Sequence, residues 1–483
     1  MKPVTEMNEA KVAILTLGCG RNDVDSDNVA GLLAQSGHRL VDDPDDANCI
    51  IVNTCTFIGA ARAESVDTIL DATGTTKPVV VMGCMAERHG DELAKEIPEL
   101  AGVVGFNDYA ALPEVITDAV TLGKWRGTAN RGAAAQGGAS LPVITARGAK
   151  PVIGEASRGL PLLGTMPGPT APPTAAFPVR TQPRGSWAYL KIAGGCDRIC
   201  TFCSIPSFRG RFSSRGLAEL EAEANWLVSN GVEELVCVSE NTTSWGKDLP
   251  GGRESQRELV EMFDRVEGLR RVRLMYLQPA EIRPALLEAM AASRTVVPYY
   301  DLSMQHASAD VLKAMARMGG PDEFLSLLST IRANEPDAVF RSSFIVGFPG
   351  ETDRDVEILS DFVQAAGLDW SGVFTYSPEE GTTAATLPNQ VPTEVAEERR
   401  DHLMGILERV MEERAQRFVG QTLDVLIEEY DEDTGEAIGR SYRESPESDG
   451  EIRIRNADTP TGRSIPVRIR ETDGVDLIGE VSA

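Results

Sequence analysis

Three cysteines stand within eight residues in Cys196-Asp197-Arg198-Ile199-Cys200-Thr201-Phe202-Cys203, a C-x3-C-x2-C spacing entered through Gly194-Gly195. Thiolates this close in sequence can close on one face of a small metal centre. A closed tetrahedral zinc site needs a fourth ligand, and no other Cys or His lies near in sequence. A three-thiol loop instead suits a four-iron cluster that leaves one iron without a protein ligand. The paired glycines let the backbone turn tightly into the loop, or serve only as a flexible turn.

Three more cysteines recur in one pattern. Lys11 to Cys19, Cys49 to Cys55 and Pro78 to Cys84 are short apolar runs, each ending in a thiol. Such runs read as strands buried on both faces, with helices expected over about Asp25 to Ser36, Gly59 to Thr73 and Ala86 to Glu96. The series is βαβ and implies an open parallel α/β sheet, in which the loops beyond the strands' carboxyl ends gather at one edge. Cys19, Cys55 and Cys84 are thereby expected to converge on a shared metal site. Cys49 and Cys237 lie at the start of, or within, strand runs and are assigned to core packing.

The remaining chain divides by composition. Residues 8–125 hold the first series. Residues 126–183 turn to Gly, Ala, Pro, Thr and Ser, with too little apolar surface to offset the entropy of ordering, and read as a flexible linker. Residues 184–418 alternate strands, expected at Trp187 to Ile192, Glu234 to Val238, Arg271 to Tyr276, Pro298 to Leu302, Val339 to Val346 and Ser371 to Tyr376, with helices that include Ala309 to Met318 and Asp353 to Ala366. Six βα units suggest a parallel barrel, complete or partial, whose chemistry belongs at the strand carboxyl ends. The thiol loop follows the first of these strands. A charged helix from about Thr393 to Phe418 closes the region. Residues 419–483 alternate apolar and polar positions, with turn signals at Asp433-Thr434-Gly435 and Ser448-Asp449-Gly450, and suit a small antiparallel β-barrel.

Charge narrows the partners. Lys and Arg number 47 against 73 Asp and Glu, a formal net charge of −26, which repels polyanions and favours basic partners. The acidity also serves solubility alone. From Gly420 onward 16 acidic residues face 7 basic ones, an unfavourable surface for tracking phosphates, so stable nucleic-acid binding is not expected. Eight cysteines with no secretory leader at Met1-Lys2-Pro3, and no apolar run near the roughly 18 residues of a membrane span, point to a cytoplasmic protein with thiols kept for metal.

An open iron can bind the amino and carboxylate groups of S-adenosylmethionine, and electron transfer into the bound sulfonium yields a 5′-deoxyadenosyl radical. The protein then has to position the cofactor and exclude side reactions. Glu240 in Ser239-Glu240-Asn241-Thr242 follows the second barrel strand, Gln305-His306 the fourth, and Gly347 and Gly350 the fifth. Each could line the cofactor site, or simply form a turn or cap. His306 suits a hydrogen-bonding wall better than a metal ligand. No G-x-x-x-x-G-K-[ST] loop suggests nucleotide triphosphate hydrolysis.

The loop from Gly195 to Cys203, with Phe202 before its third thiol, resembles the radical S-adenosylmethionine superfamily signature, which implies that Phe202 lies beside the cofactor. With Cys19, Cys55 and Cys84, the order of domains is similar to that of the methylthiotransferases, and within them to the RimO family. The strings that carry this are Val52-Asn-Thr-Cys-Thr-Phe-Ile58, Ser204-Ile-Pro-Ser-Phe-Arg-Gly210, Gln305-His-Ala-Ser308, Phe344-Ile-Val-Gly-Phe-Pro-Gly-Glu-Thr352, Tyr376-Ser-Pro-Glu-Glu-Gly381 and Ala437-Ile-Gly-Arg-Ser441. The resemblance implies two [4Fe-4S] clusters. Cys196, Cys200 and Cys203 would hold the radical-generating one, and Cys19, Cys55 and Cys84 the one associated with sulfur delivery. It further implies a TRAM-like terminal domain, an electron donor such as flavodoxin or ferredoxin, and methylthiolation at the β-carbon of an aspartate in the twelfth small-subunit ribosomal protein. The long linker departs from the family's usual pattern.

Two other readings stay open on sequence. A tRNA adenosine methylthiotransferase would share all six thiols. A non-catalytic iron–sulfur carrier would explain the thiols but leave the barrel and its mouth segments without a role.

Overall fold

The computed structural model describes residues 9–125, 180–252, 255–431, 434–455, 457 and 460–482. They fall into two compact units. One takes Met1–Gln182, Lys191–Arg198 and Cys203–Glu223, the other Pro183–Leu190, Ile199–Phe202 and Ala224–Ala483. Of the expected linker, residues 126–179 lie outside the described residues, as does Asp433 of the expected turn.

The first unit alternates β1 (Lys11–Thr16), α1 (Gly20–Gln35), β2 (Arg39–Leu40), β3 (Cys49–Thr54), α2 (Gly59–Thr73), β4 (Val79–Gly83), α3 (Cys84–Glu96), β5 (Gly102–Val103) and α4 (Leu112–Leu122). The strands form one sheet in the order β2-β1-β3-β4-β5, each pair parallel. Every residue of β3 and β4 is buried, which is why those runs show no polar alternation. One face carries Val12, Ile51 and Val80 against Val29 and Leu33 of α1 and Val115 and Ile116 of α4. The other carries Ile50, Val52 and Val81 against Ile69 of α2 and Leu93 of α3. Each such side chain, fully buried, contributes about 1.5–3 kcal/mol.

Also in this unit is Arg180, at the end of the expected linker. Its buried guanidinium donates to Glu223 Oε1 at 2.8 Å and Asp27 Oδ2 at 2.5 Å.

The chain continues through β6 (Trp187–Lys191), β7 (Ala193–Gly194), α5 (Ile205–Arg209), β8 (Ser213–Ser214) and α6 (Leu217–Ser229), with β7 and β8 paired antiparallel. The second unit's sheet uses β9 (Glu234–Val238), β10 (Arg271–Leu277), β11 (Val296–Gln305), β12 (Val339–Val346) and β13 (Trp370–Thr375), in the order β13-β12-β11-β10-β9-β6. The ladders from β9 to β13 are parallel. Helices α7 (Ser255–Arg265), α8 (Pro284–Ala292), α9 (Ala309–Ala314), α10 (Pro321–Asn334) and α11 (Asp353–Ala366) lie between the strands, and α12 (Thr393–Gln416) follows β13. The sheet is a partial (β/α)6 barrel. Helix α11 starts at a capping box between Thr352 and Asp355 and stops at Gly367, whose φ of +56° the helix cannot continue.

The final strands β14 (Thr422–Asp431), β15 (Glu436–Arg440), β16 (Ile452–Arg455), β17 (Ser464–Asp473) and β18 (Asp476–Val481) close into a barrel in the order β14-β15-β16-β18-β17. It is antiparallel except that β16 and β18 run parallel, with Ile452 opposite Leu477. This small barrel and the central sheet share one apolar core, in which Val236, Tyr299 and Trp370 meet Val425, Ile452 and Leu477.

Candidate metal centres

The strand order of the first sheet reverses between β1 and β3, and at such a switch point the crevice beyond the strands' carboxyl ends receives ligands. Cys19 follows β1, Cys55 follows β3, and Cys84 opens α3 directly after β4. The structure brings the three together closely enough that the charge of Cys19 bears on Cys55, and the charges of both bear on Cys84. Two glycines make the approach possible. A Cβ on Gly18 would stand 2.9 Å from Cys55 Cβ, and one on Gly83 would stand 2.3 Å from Asn53 Oδ1, with φ of +105° and +93°.

The thiols differ in how readily they ionise. Burial pushes Cys84 up to about 11 and Cys55 up as well. Burial also opposes ionisation of Cys19, but the guanidiniums of Arg21 and Arg209 outweigh it and bring that thiol below its ordinary value. Arg21 Nε lies 3.3 Å from Cys19 Sγ, and Arg209 Nη2 donates to Cys84 Sγ at 3.2 Å. A cationic surrounding of this kind favours thiolate, the form that binds metal.

Among the described residues, no group of three or more His, Cys, Asp or Glu is gathered tightly enough to ligate a single ion. A four-iron cluster takes each thiolate on a different iron, so its ligands stand further apart than the donors of one ion. A set of three thiols with guanidinium neighbours fits that group by the chemistry of its donors.

The C-x3-C-x2-C loop opens at Gly195, where a Cβ would stand 2.1 Å from the Arg211 carbonyl oxygen, leaving no room for any side chain. In the first unit, Cys196 N–H donates to Gly210 O at 3.0 Å, and Arg198 N–H points to Cys196 Sγ at 3.4 Å. Asp197 Oδ1 accepts from Phe212 N–H at 3.1 Å. In the second unit, Arg317 Nη1 lies 3.7 Å from Cys200 Sγ and its Nη2 donates to the Ser303 carbonyl. Thr201 is pinned there by Oγ1 to Ala314 O at 2.8 Å and by Ala384 N–H to its own carbonyl at 2.8 Å.

The expected cofactor-lining residues belong to the second unit. Phe202 packs against Val311, Met315, Phe348 and Ala384. Glu240 is half-buried in a turn where Ser239 Oγ lies 3.0 Å from Thr242 Oγ1 and accepts from Asn241 N–H at 3.1 Å. Gln305 ends β11 at φ +72°, and Tyr276 near the end of the neighbouring β10 has φ +60°. Strained non-glycine backbone at adjacent strand ends is a feature of functional sites. A Cβ on Gly347 would stand 2.4 Å from Ala396 Cβ, so the close approach here is to α12, while Gly350 has open space at φ +84°. His306 is fully buried, its Nδ1 accepts from Ser308 N–H at 2.9 Å, and burial holds it down at about 4, hence neutral. Cys49 opens β3 and Cys237 lies within β9, both buried. Sequence reasoning missed Arg21, Asn22, Arg209 and Arg317; only Arg209 lay in a string already singled out.

These features define a radical S-adenosylmethionine protein extended by a thiol-bearing α/β domain and a small β-barrel. Family models match in the same order: Uncharacterized protein family UPF0004 at residues 11–105, Radical SAM superfamily at 190–363 and TRAM domain at 419–481. The chain is 42% identical to the ribosomal protein uS12 methylthiotransferase RimO of Kineococcus radiotolerans, over 99% of this chain and 98% of that one. It is 43% identical to the proteins of that name from Streptomyces avermitilis, over 97% of this chain and 96% of that one, and Cutibacterium acnes, over 97% of both. The chain belongs to the RimO family of ribosomal protein methylthiotransferases. Among solved structures it is similar to the radical S-adenosylmethionine methyltransferase TsrM of Kitasatospora setae, at TM-score 0.48 and 14% identity over 86% of this chain and 76% of that one.

Proposed function

We propose that the chain inserts a methylthio group at the β-carbon of an aspartate in ribosomal protein uS12. The observation that carries this is the pairing of the C-x3-C-x2-C loop with three further thiols at one sheet edge, in a chain that matches RimO proteins nearly end to end. Bound clusters and S-adenosylmethionine supply the radical, the sulfur and the methyl group. Cys196, Cys200 and Cys203 hold the radical-generating cluster, and Cys19, Cys55 and Cys84 hold the second. Around them the chain provides N–H donors to sulfur from Arg198 and Arg317 in the loop region and from Arg21 and Arg209 in the first domain. Phe202, Glu240, Gln305, Gly347 and Gly350 line the cofactor.

The terminal barrel, with 16 acidic against 7 basic residues from Gly420 onward, suits a basic protein substrate and not a polyanion. A flavodoxin or ferredoxin supplies electrons. No helix among the described residues is long and apolar enough to cross a membrane, and the enzyme works in the cytoplasm. The test is anaerobic incubation of reconstituted protein with reductant, S-adenosylmethionine and uS12. Formation of 5′-deoxyadenosine with methylthiolated uS12 is expected; intact clusters giving no 5′-deoxyadenosine would defeat the reading.

A further inference from the structure

The string Ser204-Ile-Pro-Ser-Phe-Arg-Gly210 follows the last thiol of the loop, and its Arg209 has entered so far only as a donor to the first domain's thiols. Its fold shows what it reaches. Arg88 of α3 donates from Nη1 to Ser204 Oγ at 3.1 Å, which ties the start of the string to the helix that begins at Cys84. At the string's far end, Arg209 turns inward with its side chain 6% exposed. Its Nη2 lies 3.2 Å from Cys84 Sγ and 2.7 Å from Asn22 Oδ1, its Nη1 3.4 Å from Asp25 Oδ2, and its guanidinium carbon 4.8 Å from the centre of the Phe106 ring. A planar fork engaged on several sides has little freedom to point elsewhere.

Asn22 extends this network to the other two thiols. Its Nδ2 donates to Leu17 O at 2.7 Å, two residues before Cys19, and to Thr54 O at 3.2 Å, immediately before Cys55. One chain of hydrogen bonds therefore runs through all three thiol loops and ends on Arg209. Charge points the same way. Asp25, with its side chain 1% exposed, takes Lys191 Nζ at 2.7 Å and Arg209 Nη1 at 3.4 Å, so one carboxylate serves two cations. A cation held in a buried site is costly unless an anion faces it, and a cluster bound at Cys84 would set thiolate charge against Arg209 on that side.

We infer that Arg209 is a positioning residue of the cluster held by Cys19, Cys55 and Cys84: it fixes the Cys84 sulfur and raises the cluster's reduction potential through an N–H···S bond and its charge. Hydrogen bonds to ligand sulfur and nearby positive charge both favour the reduced, more negative state. This rests on the assignment of those three thiols to a cluster.

The test uses the full chain carrying Cys196→Ala, Cys200→Ala and Cys203→Ala, so that iron and the electron paramagnetic resonance signal report the first domain alone. If this protein binds no iron with Arg209 intact, the cluster assignment itself fails. If it does bind iron, Arg209→Gln is expected to move the midpoint to more negative potential with an altered signal, and Arg209→Lys to recover part of the shift. Should Arg209→Gln not retain iron, Arg209→Lys alone is read, and a more negative midpoint than the parent is expected. An unchanged midpoint in the iron-retaining variants would overturn the inference. So would an equal shift from Lys191→Met, whose ammonium touches Asp25 and not the sulfur, since charge at a distance would then suffice.

Discussion

Arg273 Nε lies 2.6 Å from Glu234 Oε1, both side chains buried, and the same guanidinium donates to the carbonyls of Ser441 and Tyr442 at 2.6 Å each. Glu234 begins β9 and Arg273 sits in β10, so a central-sheet ion pair holds the loop after β15. Arg440 reaches the same carboxylate at 3.3 Å, and Arg271 at 3.6 Å. The end of the string Ala437-Ile-Gly-Arg-Ser441 is thus a clamp between the central sheet and the terminal barrel.

Removing the carboxylate charge takes the ion-pair partner from buried Arg273 and weakens the sites of Arg271 and Arg440, which keep Asp424 at 3.9 Å and Glu428 at 2.5 Å. Glu234→Gln is expected to lower stability by about 3–5 kcal/mol in denaturant melts. Burial alone would raise Glu234, but Arg440, Arg273 and Arg271 outweigh it and hold the group down at about 2. Its stabilisation is therefore present above the unfolded carboxylate range and lost as pH falls through about 2, so the variant's melts should differ from wild type most above pH 5.

Glu351 predicts the opposite slope. Burial, only partly offset by the N–H groups of Phe348 and Gly347 and by Arg399, pushes this carboxyl up to about 7. A folded-state value above the unfolded one stabilises at low pH and loses that stabilisation as pH rises through about 7. Thermal melts between pH 5.5 and 8 should show the wild type weakening with pH and Glu351→Gln following a flatter line.

Gly83 tests the approach to Cys84. With a Cβ 2.3 Å from Asn53 Oδ1 and 2.7 Å from Thr54 backbone atoms, Gly83→Ala must displace the thiol edge. Gly350→Ala, with nothing within 4 Å, bears only the backbone penalty of about 1–2 kcal/mol. Iron analysis should find that Gly83→Ala loses about half the iron, one cluster of two, while Gly350→Ala keeps all of it.

Much of this was legible locally. Glu234–Val238, Val339–Val346, Asp353–Ala366 and Gly59–Thr73 lie where the sequence places them; uniform burial marks the first and a capping box with a left-handed Gly367 marks the third. Two-residue strands such as Arg39–Leu40 and Gly102–Val103 carry no pattern to read. Helix α9 stops at Ala314 rather than Met318, with Ala316 at φ +55° and Arg317 turned toward Cys200 and Ser303. The parallel β16–β18 pair escaped because alternation is blind to strand direction. The six thiols announced themselves by spacing and by their place after strands. Asn22 and Arg209 did not, since a hydrogen bond to Cys84 across 125 positions leaves no local trace.

The two thiol sets should separate by activity. Cys200→Ala is expected to abolish 5′-deoxyadenosine formation, whereas Cys55→Ala should spare it and block sulfur insertion. Chromatography of the nucleoside beside mass analysis of uS12 reads both. Equal loss of 5′-deoxyadenosine in the two variants would contradict the division of labour.

The central claim is tested most directly by mass spectrometry of uS12 and of tRNA from cells lacking this chain and from cells complemented with it. Methylthiolated aspartate in uS12 should vanish on deletion, return with the wild-type chain and stay absent with Cys200→Ala, while tRNA is unchanged. Unaltered uS12 together with loss of the methylthio group from tRNA adenosine would contradict the account.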